Sequence, residues 1–259
     1  MDGIALSSED FFFANPKRVA ELFEAYDVRT IIYLRRQDSF LEASLNQNTK
    51  VAGSYGNEHK FVRDLETKLR YADWLARWEG SFGRSSIDVV PFEKRWFPAG
   101  LERGFLELLG LKWDSRFLTS VRNGRMTRDG LEFLLRLNAL GRLDRRSYLD
   151  AVRLLQPFAD NNPDPPEYRN VYSPERHRAF LEQFRDSNAQ VARDYLGLEE
   201  SLFTADFDDD VWHPYPGLSA DAATAIAHHL ASVGVDQAAL AELLTSLEKS
   251  RSPARSPGE

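Results

Sequence analysis

Residues 28–34, Val-Arg-Thr-Ile-Ile-Tyr-Leu, constrain this chain more than any other stretch. β-branched and aromatic side chains dominate the run, and such side chains suit a pleated, buried surface. The run ends in Arg35-Arg36, and a helical pattern follows over about residues 39–51, with Phe40, Leu41, Ser44 and Leu45 near one another. Upstream, residues 3–6 form a short apolar run that reads as a buried strand, closed by the polar Ser7-Ser8-Glu9-Asp10. Asn15-Pro16 then marks a helix start, Asn as cap and Pro at the first helical position, with Val19, Leu22, Phe23 and Tyr26 on one face. Strand–helix–strand–helix in this order predicts parallel βαβ units.

The pattern continues with a helix over 65–78, a strand over 87–92 closed by its proline, and a helix over 101–111 capped by Gly110. Beyond this the periodicity is helical: 129–140, 144–155, 174–196, 219–232 and 236–249, with Ser219 and Asp236 as caps. Residues 157–172 are proline-rich and predict a loop. The final RSPARSPGE is polar and of low complexity, which predicts a disordered tail. The expectation is an α/β fold: an open, mostly parallel sheet with flanking helices and a helical C-terminal half. Its parts are a core over 1–112, a helical region over 113–250 and a tail over 251–259.

Composition narrows the function classes. The 259 residues carry 33 Lys and Arg against 40 Asp and Glu, a net charge of −7, which argues against nonspecific nucleic-acid binding. The absence of cysteine excludes a disulfide scaffold, an iron–sulfur cluster and a thiol nucleophile. No apolar run reaches the roughly 18–20 residues of a membrane span, and the first residues lack a basic signal-peptide region, so a cytoplasmic protein is expected. His228-His229 are adjacent on a helix and point apart, so they make no metal pair. Asp206, Asp208 and Asp210 stand at positions 1, 3 and 5 of a calcium-loop pattern, but Val211 and Gly217 replace its glycine and glutamate. No metal site is expected.

The strongest candidate for chemistry is the arginine pair. Arginines at the carboxyl end of a buried strand suit bidentate contacts to phosphate. The next helix adds its free N–H groups and dipole. Ser44, on that helix, could donate its hydroxyl to the same anion. The same residues also describe a solvated arginine pair and an ordinary helix serine.

VRTIIYLRRQDSFLEASLNQ resembles the 3′-phosphate-binding segment of sulfotransferases that use 3′-phosphoadenosine 5′-phosphosulfate (PAPS). There an apolar strand ends in arginine and a serine follows eight residues later; Arg36 and Ser44 match, and Arg35 does not. IALSSE, IDVVPFEK followed by FLELLGL, and DSNAQVARDYLG with SLF resemble further segments of bacterial members, in order. The resemblance implies a P-loop sulfotransferase-like fold and transfer of a sulfuryl group from PAPS to a hydroxyl, that of a carbohydrate, without a metal. It implies Glu9 as the base that takes the acceptor proton, since the family carries histidine or glutamate there. It implies that the loop Arg122-Asn123-Gly124-Arg125 reaches the 3′-phosphate through Arg122 and Gly124; the same residues also suit a plain turn. Trp74, Trp78, Trp96 and Trp113 suit either a sugar site or the core.

One departure matters. The family holds the 5′-phosphosulfate in a lysine-bearing phosphate loop N-terminal to the IALSSE segment. This sequence has no Gly-Lys pair, no G-x-x-x-x-G-K-[ST] and no G-x-G-x-x-G, and only two residues precede that segment. Two expectations follow: a truncated enzyme, or a catalytically inactive relative that binds nucleotide or serves as a partner protein. An unrelated α/β protein with an arginine pair is a third.

Overall fold

The computed structural model describes residues 3–51, 63, 65–114, 124–199, 201–204 and 211–251. Among them are two strands, β1 (Thr30–Leu34) and β2 (Ile87–Pro91). There are ten α-helices: α1 (Pro16–Leu22), α2 (Gln37–Thr49), α3 (Tyr71–Phe82), α4 (Leu101–Leu108), α5 (Arg128–Ala139), α6 (Arg145–Asn161), α7 (Pro174–Glu182), α8 (Arg185–Leu196), α9 (Ala220–Ser232) and α10 (Gln237–Arg251). The fold is α/β and mostly helical. The chain divides into two compact units, each drawn from three stretches: Met1–Gln37, Arg63–Leu118 and Phe180–Ala205 in the first, and Asp38–Val62, Thr119–Ala179 and Asp206–Glu259 in the second.

The first unit is built on the sheet. β1 and β2 pair in parallel, from Thr30 opposite Ile87 to Leu34 opposite Pro91. Parallel pairing needs a long crossover, and helices α2 and α3 lie between the strands in sequence. Ile32, Leu34, Ile87, Val89 and Val90 are buried. Pro91 has no N–H for the ladder and ends the strand, after which the Phe92 N–H donates once more to the Leu34 carbonyl at 2.7 Å. Helix α3 buries one face, Tyr71, Ala72, Trp74, Leu75 and Trp78, and packs on α1, α8 and β2. Helix α4 stops in a Schellman turn: Gly110 takes φ +69°, the Gly110 N–H bonds to the Glu107 carbonyl, and the Leu111 N–H bonds to Leu106 at 2.8 Å.

Residues 3–6 correct the expectation of a buried strand. They adopt no strand and are exposed, with Ile4 at 90% and Leu6 at 61%. An apolar run becomes a strand only where a neighbouring edge accepts its hydrogen bonds, and β1 and β2 are the two members of the sheet among the described residues.

The second unit is helical. Phe133, Leu134, Leu137, Tyr148, Ala151, Leu155, Ile226, Leu230, Leu240 and Leu243 fill its core. Helix α9 packs on α5, α6 and α10. Side chains cap the helices where the sequence offers them: Thr127 bonds to Gly130 N, Asp144 to Ser147 N, Ser219 to Ala222 N and Asp236 to Ala238 N. Helix α6 runs through Pro157 to Asn161, where the sequence predicts a loop. The ring removes one bond to the carbonyl of Arg153. Burial of Leu155 and Ala159 on either side of it holds the helix, and the Asn161 amide donates to the Pro157 carbonyl at 2.9 Å.

The single helix expected over 174–196 is two. The chain tightens where the Phe184 N–H bonds to the Leu181 carbonyl at 2.9 Å, and Phe184 turns inward against the Phe180 ring at 5.2 Å. No described helix is long and apolar enough to cross a membrane.

Candidate functional site at the strand ends

In an open parallel sheet, the carboxyl ends of the strands are where ligands are taken. Here each strand end leads into charged residues within the first unit. After β1 come Arg35 and Arg36, and α2 begins at Gln37 with no intervening loop. The backbone of this corner is pinned on both sides of Arg36. The Tyr71 hydroxyl donates to the Arg35 carbonyl at 2.6 Å. The buried Gln37 amide donates to Asn188 Oδ1 at 2.6 Å, and Asn188 returns the bond at 3.1 Å. A reciprocal amide pair satisfies both polar groups away from water, which makes the corner rigid.

Arg36 is half-buried, and its Nη1 donates to the carbonyl of Thr204 at 2.8 Å. After β2 comes Glu93. One of its oxygens, Oε1, accepts from the Thr204 N–H at 2.9 Å and from the Thr204 hydroxyl at 3.0 Å. Its other oxygen accepts from Arg95 Nε at 3.0 Å, and Arg95 Nη2 donates to the Leu202 carbonyl at 3.0 Å. Thus both strand ends converge on residues 202–204. Leu202 and Phe203 are buried beside these contacts, and Phe203 meets the Tyr71 ring edge-on.

The other sequence candidates lie as follows. Ser44 is half-buried, two turns into α2. Asp38 stands in the first turn of α2 and sets a carboxylate where free N–H groups were expected to attract an anion. Glu9 is exposed at the start of a short 3-10 helix, Glu9–Phe13, whose first turn is capped by Ser8. Arg122 lies outside the described residues, as do Asp206, Asp208 and Asp210.

Gly124 is described: a Cβ there would come within 2.5 Å of Asp160 Oδ1 and 2.6 Å of Gln156 Nε2, the ends of two flexible side chains that would have to shift. Its carbonyl accepts from Lys50 Nζ at 3.1 Å, and burial holds that ammonium below its usual pKa, with Asp160 opposing. Trp74 and Trp78 are core residues on α3, Trp74 donating to the Phe12 carbonyl at 3.1 Å. The indole N–H groups of Trp78 and Trp96 are buried without a hydrogen-bond partner. Among the described residues no group of three or more His, Asp or Glu is arranged to hold a metal.

The second unit holds a denser cluster that the sequence did not reveal. His177 donates from both ring nitrogens to two carboxylates of α2: Nδ1 lies 2.9 Å from Asp38 Oδ2 and Nε2 lies 3.1 Å from Glu42 Oε1. All three residues are buried. Glu42 Oε1 also accepts the N–H groups of Val171 at 2.7 Å and Tyr172 at 3.2 Å, while Oε2 pairs with Arg125 at 3.2 Å. Burial alone would lower the imidazole pKa, but the bonds to Asp38 and Glu42 outweigh it and raise it to about 9. Burial pushes the Glu42 carboxyl up, but its bond to His177, the Arg125 charge and the Tyr172 N–H win and hold it below its usual value. Asp38 and Glu42 are four apart on one helix face, which the sequence shows. Their partner is 139 and 135 residues away.

No family model matches, and no solved structure matches. The chain is 26% identical over 205 residues to an uncharacterized protein from Archaeoglobus fulgidus, an alignment that covers 76% of this chain and 55% of that protein. The chain therefore spans about half the length of the curated relative it matches.

Proposed function

We propose that this chain is a P-loop sulfotransferase-like protein whose strand-end corner takes the 3′-phosphate of PAPS, with sulfuryl transfer to a carbohydrate hydroxyl as the family reaction. One observation carries the reading: Arg36 sits at the carboxyl end of a parallel strand, on a pinned turn into α2. A guanidinium held on a rigid corner binds phosphate with little ordering cost. In the reaction the acceptor oxygen bonds to sulfur as the bond from sulfur to the bisphosphate oxygen breaks. Glu9, by resemblance, takes the acceptor proton; Ser44 and the Arg122–Gly124 loop, by resemblance, add contacts to the 3′-phosphate.

The exposure of residues 3–6 favours a second reading for the chain as given. The resemblance places those residues in the sheet, before a base at Glu9. Outside it, they support a nucleotide-binding or partner protein without transfer activity. The two readings share the Arg36 site and part on catalysis.

The test is a thermal-shift titration of the full chain with 3′,5′-bisphosphoadenosine, with ADP as control. At 100 times its dissociation constant the bisphosphate stabilises the chain by about 2.7 kcal/mol, and ADP does so far less. Equal shifts with both, or none at millimolar ligand, overturn the 3′-phosphate site. Sulfate transfer from PAPS to a panel of sugars then separates the two readings.

A further inference from the structure

We infer that residues 202–204 form a strap whose Thr204 carbonyl competes with the anion for Arg36, so that the strap regulates the proposed site. The inference rests on the reading of Arg36 as the phosphate residue. Three contacts sew the strap to the strand ends: Arg95 to the Leu202 carbonyl, Glu93 to the Thr204 N–H and hydroxyl, and Arg36 to the Thr204 carbonyl. Two of these contacts, three bonds in all, engage Thr204 from groups of opposite charge. Glu93 fixes Thr204 through its donors, and that fixing presents its carbonyl to Arg36.

A neutral carbonyl is a weaker partner for guanidinium than a phosphate dianion, so the ligand displaces it. The displacement still costs affinity in proportion to the population in which Arg36 is engaged by the strap. Glu93 is therefore a positioning residue. It touches no ligand and acts by setting where Thr204 stands.

Thr204→Pro separates the strap from charge effects. It removes the N–H and the hydroxyl that Glu93 accepts, and leaves the charges of Glu93, Arg95 and Arg36 in place. Thr204→Ala removes the hydroxyl alone and is the milder variant should the proline disturb folding. Calorimetric titration with 3′,5′-bisphosphoadenosine is read beside hydrogen exchange of the 202 and 203 amides, and of the 204 amide where threonine or alanine stands there.

The strap predicts about fivefold tighter binding for Thr204→Pro and about twofold for Thr204→Ala. It also predicts faster exchange over residues 202–204 when ligand saturates the wild type. Unchanged or weaker binding in both variants, with wild type binding normally, overturns the strap and leaves the Arg36 reading standing. If no form binds while exchange quickens in the variants, the Arg36 reading fails. The competition falls with it, and the 202–204 contacts are then structural only.

Discussion

Two arginine–carboxylate networks stand in this molecule, and they differ in what surrounds them. At the strand ends, Arg36 and Glu93 meet the backbone and hydroxyl of Thr204, Arg95 meets Glu93 and the Leu202 carbonyl, and the Arg95 side chain is 38% exposed. In the second unit, His177 is enclosed between Asp38 and Glu42, with side-chain exposures of 8%, 2% and 6%. In the second, the mutual bonds raise the His177 pKa and hold that of Glu42 low. Yet both Glu42 oxygens and Asp38 Oδ2 are held by fixed partners within the fold. In the first, Arg36 donates to the Thr204 carbonyl, and Arg95 donates to the Leu202 carbonyl as well as pairing with Glu93. A perturbed pKa marks interaction energy and does not by itself mark a binding site, because structural ion-pair networks shift pKa values too.

The comparison breaks most readily at His177. Replacing it by alanine leaves two buried carboxylates facing each other, and the expected cost is about 3–5 kcal/mol in chemical denaturation. A loss under about 1 kcal/mol would mean that the cluster is open to water and the contrast is false.

The pH dependence comes next, on the order of 3 kcal/mol. The folded pKa of His177 is raised, so its contribution is complete below the ordinary value of 6.5 and is lost as pH rises through about 9. That of Glu42 is lowered, so its contribution is present above 4.5 and is lost as pH falls through its folded value. Wild type measured against His177→Gln should therefore show its largest advantage between about pH 5 and 6.5. A difference that is flat from pH 5 to 10 would remove the cluster's protonation from the account.

Smaller effects sharpen the contrast. Ser219→Ala, which deletes the cap on α9, should cost about 1 kcal/mol in the same assay. Arg142→Ala breaks a two-bond pair with Glu242 whose side chains are 60% and 44% exposed, and should leave the unfolding midpoint in the same assay essentially unchanged.

The sequence made some of this legible and hid the rest for definite reasons. β1 and β2 were visible because β-branched runs bounded by turns leave few alternatives. The starts at Asn15-Pro16 and Ser219 and the turn at Gly110 were visible because capping is local chemistry. Residues 3–6 misled because a strand is a property of two segments, and the pattern of one cannot supply the other. Pro157 misled because buried neighbours outweighed one lost hydrogen bond.

At the site, Arg36 could be read from its place after β1, and Glu93 holds the same kind of place after β2. Thr204 could not be read, since it is 168 residues from Arg36 and two of its contacts, the carbonyl to Arg36 and the N–H to Glu93, are made by backbone groups that carry no motif. His177 was hidden in the same way. Asp38 and Glu42 look like solvated helix charges until the histidine arrives.

The most direct test measures ligand affinity and stability together in two variants of the full chain. Titration with 3′,5′-bisphosphoadenosine and chemical unfolding are carried out on wild type, Arg36→Ala and His177→Gln. The account predicts that Arg36→Ala weakens binding at least about tenfold at a stability cost of roughly 1 kcal/mol. It predicts that His177→Gln loses stability and keeps affinity within about twofold. Binding that ignores the loss of Arg36, or that falls with His177 in a folded protein, would contradict it.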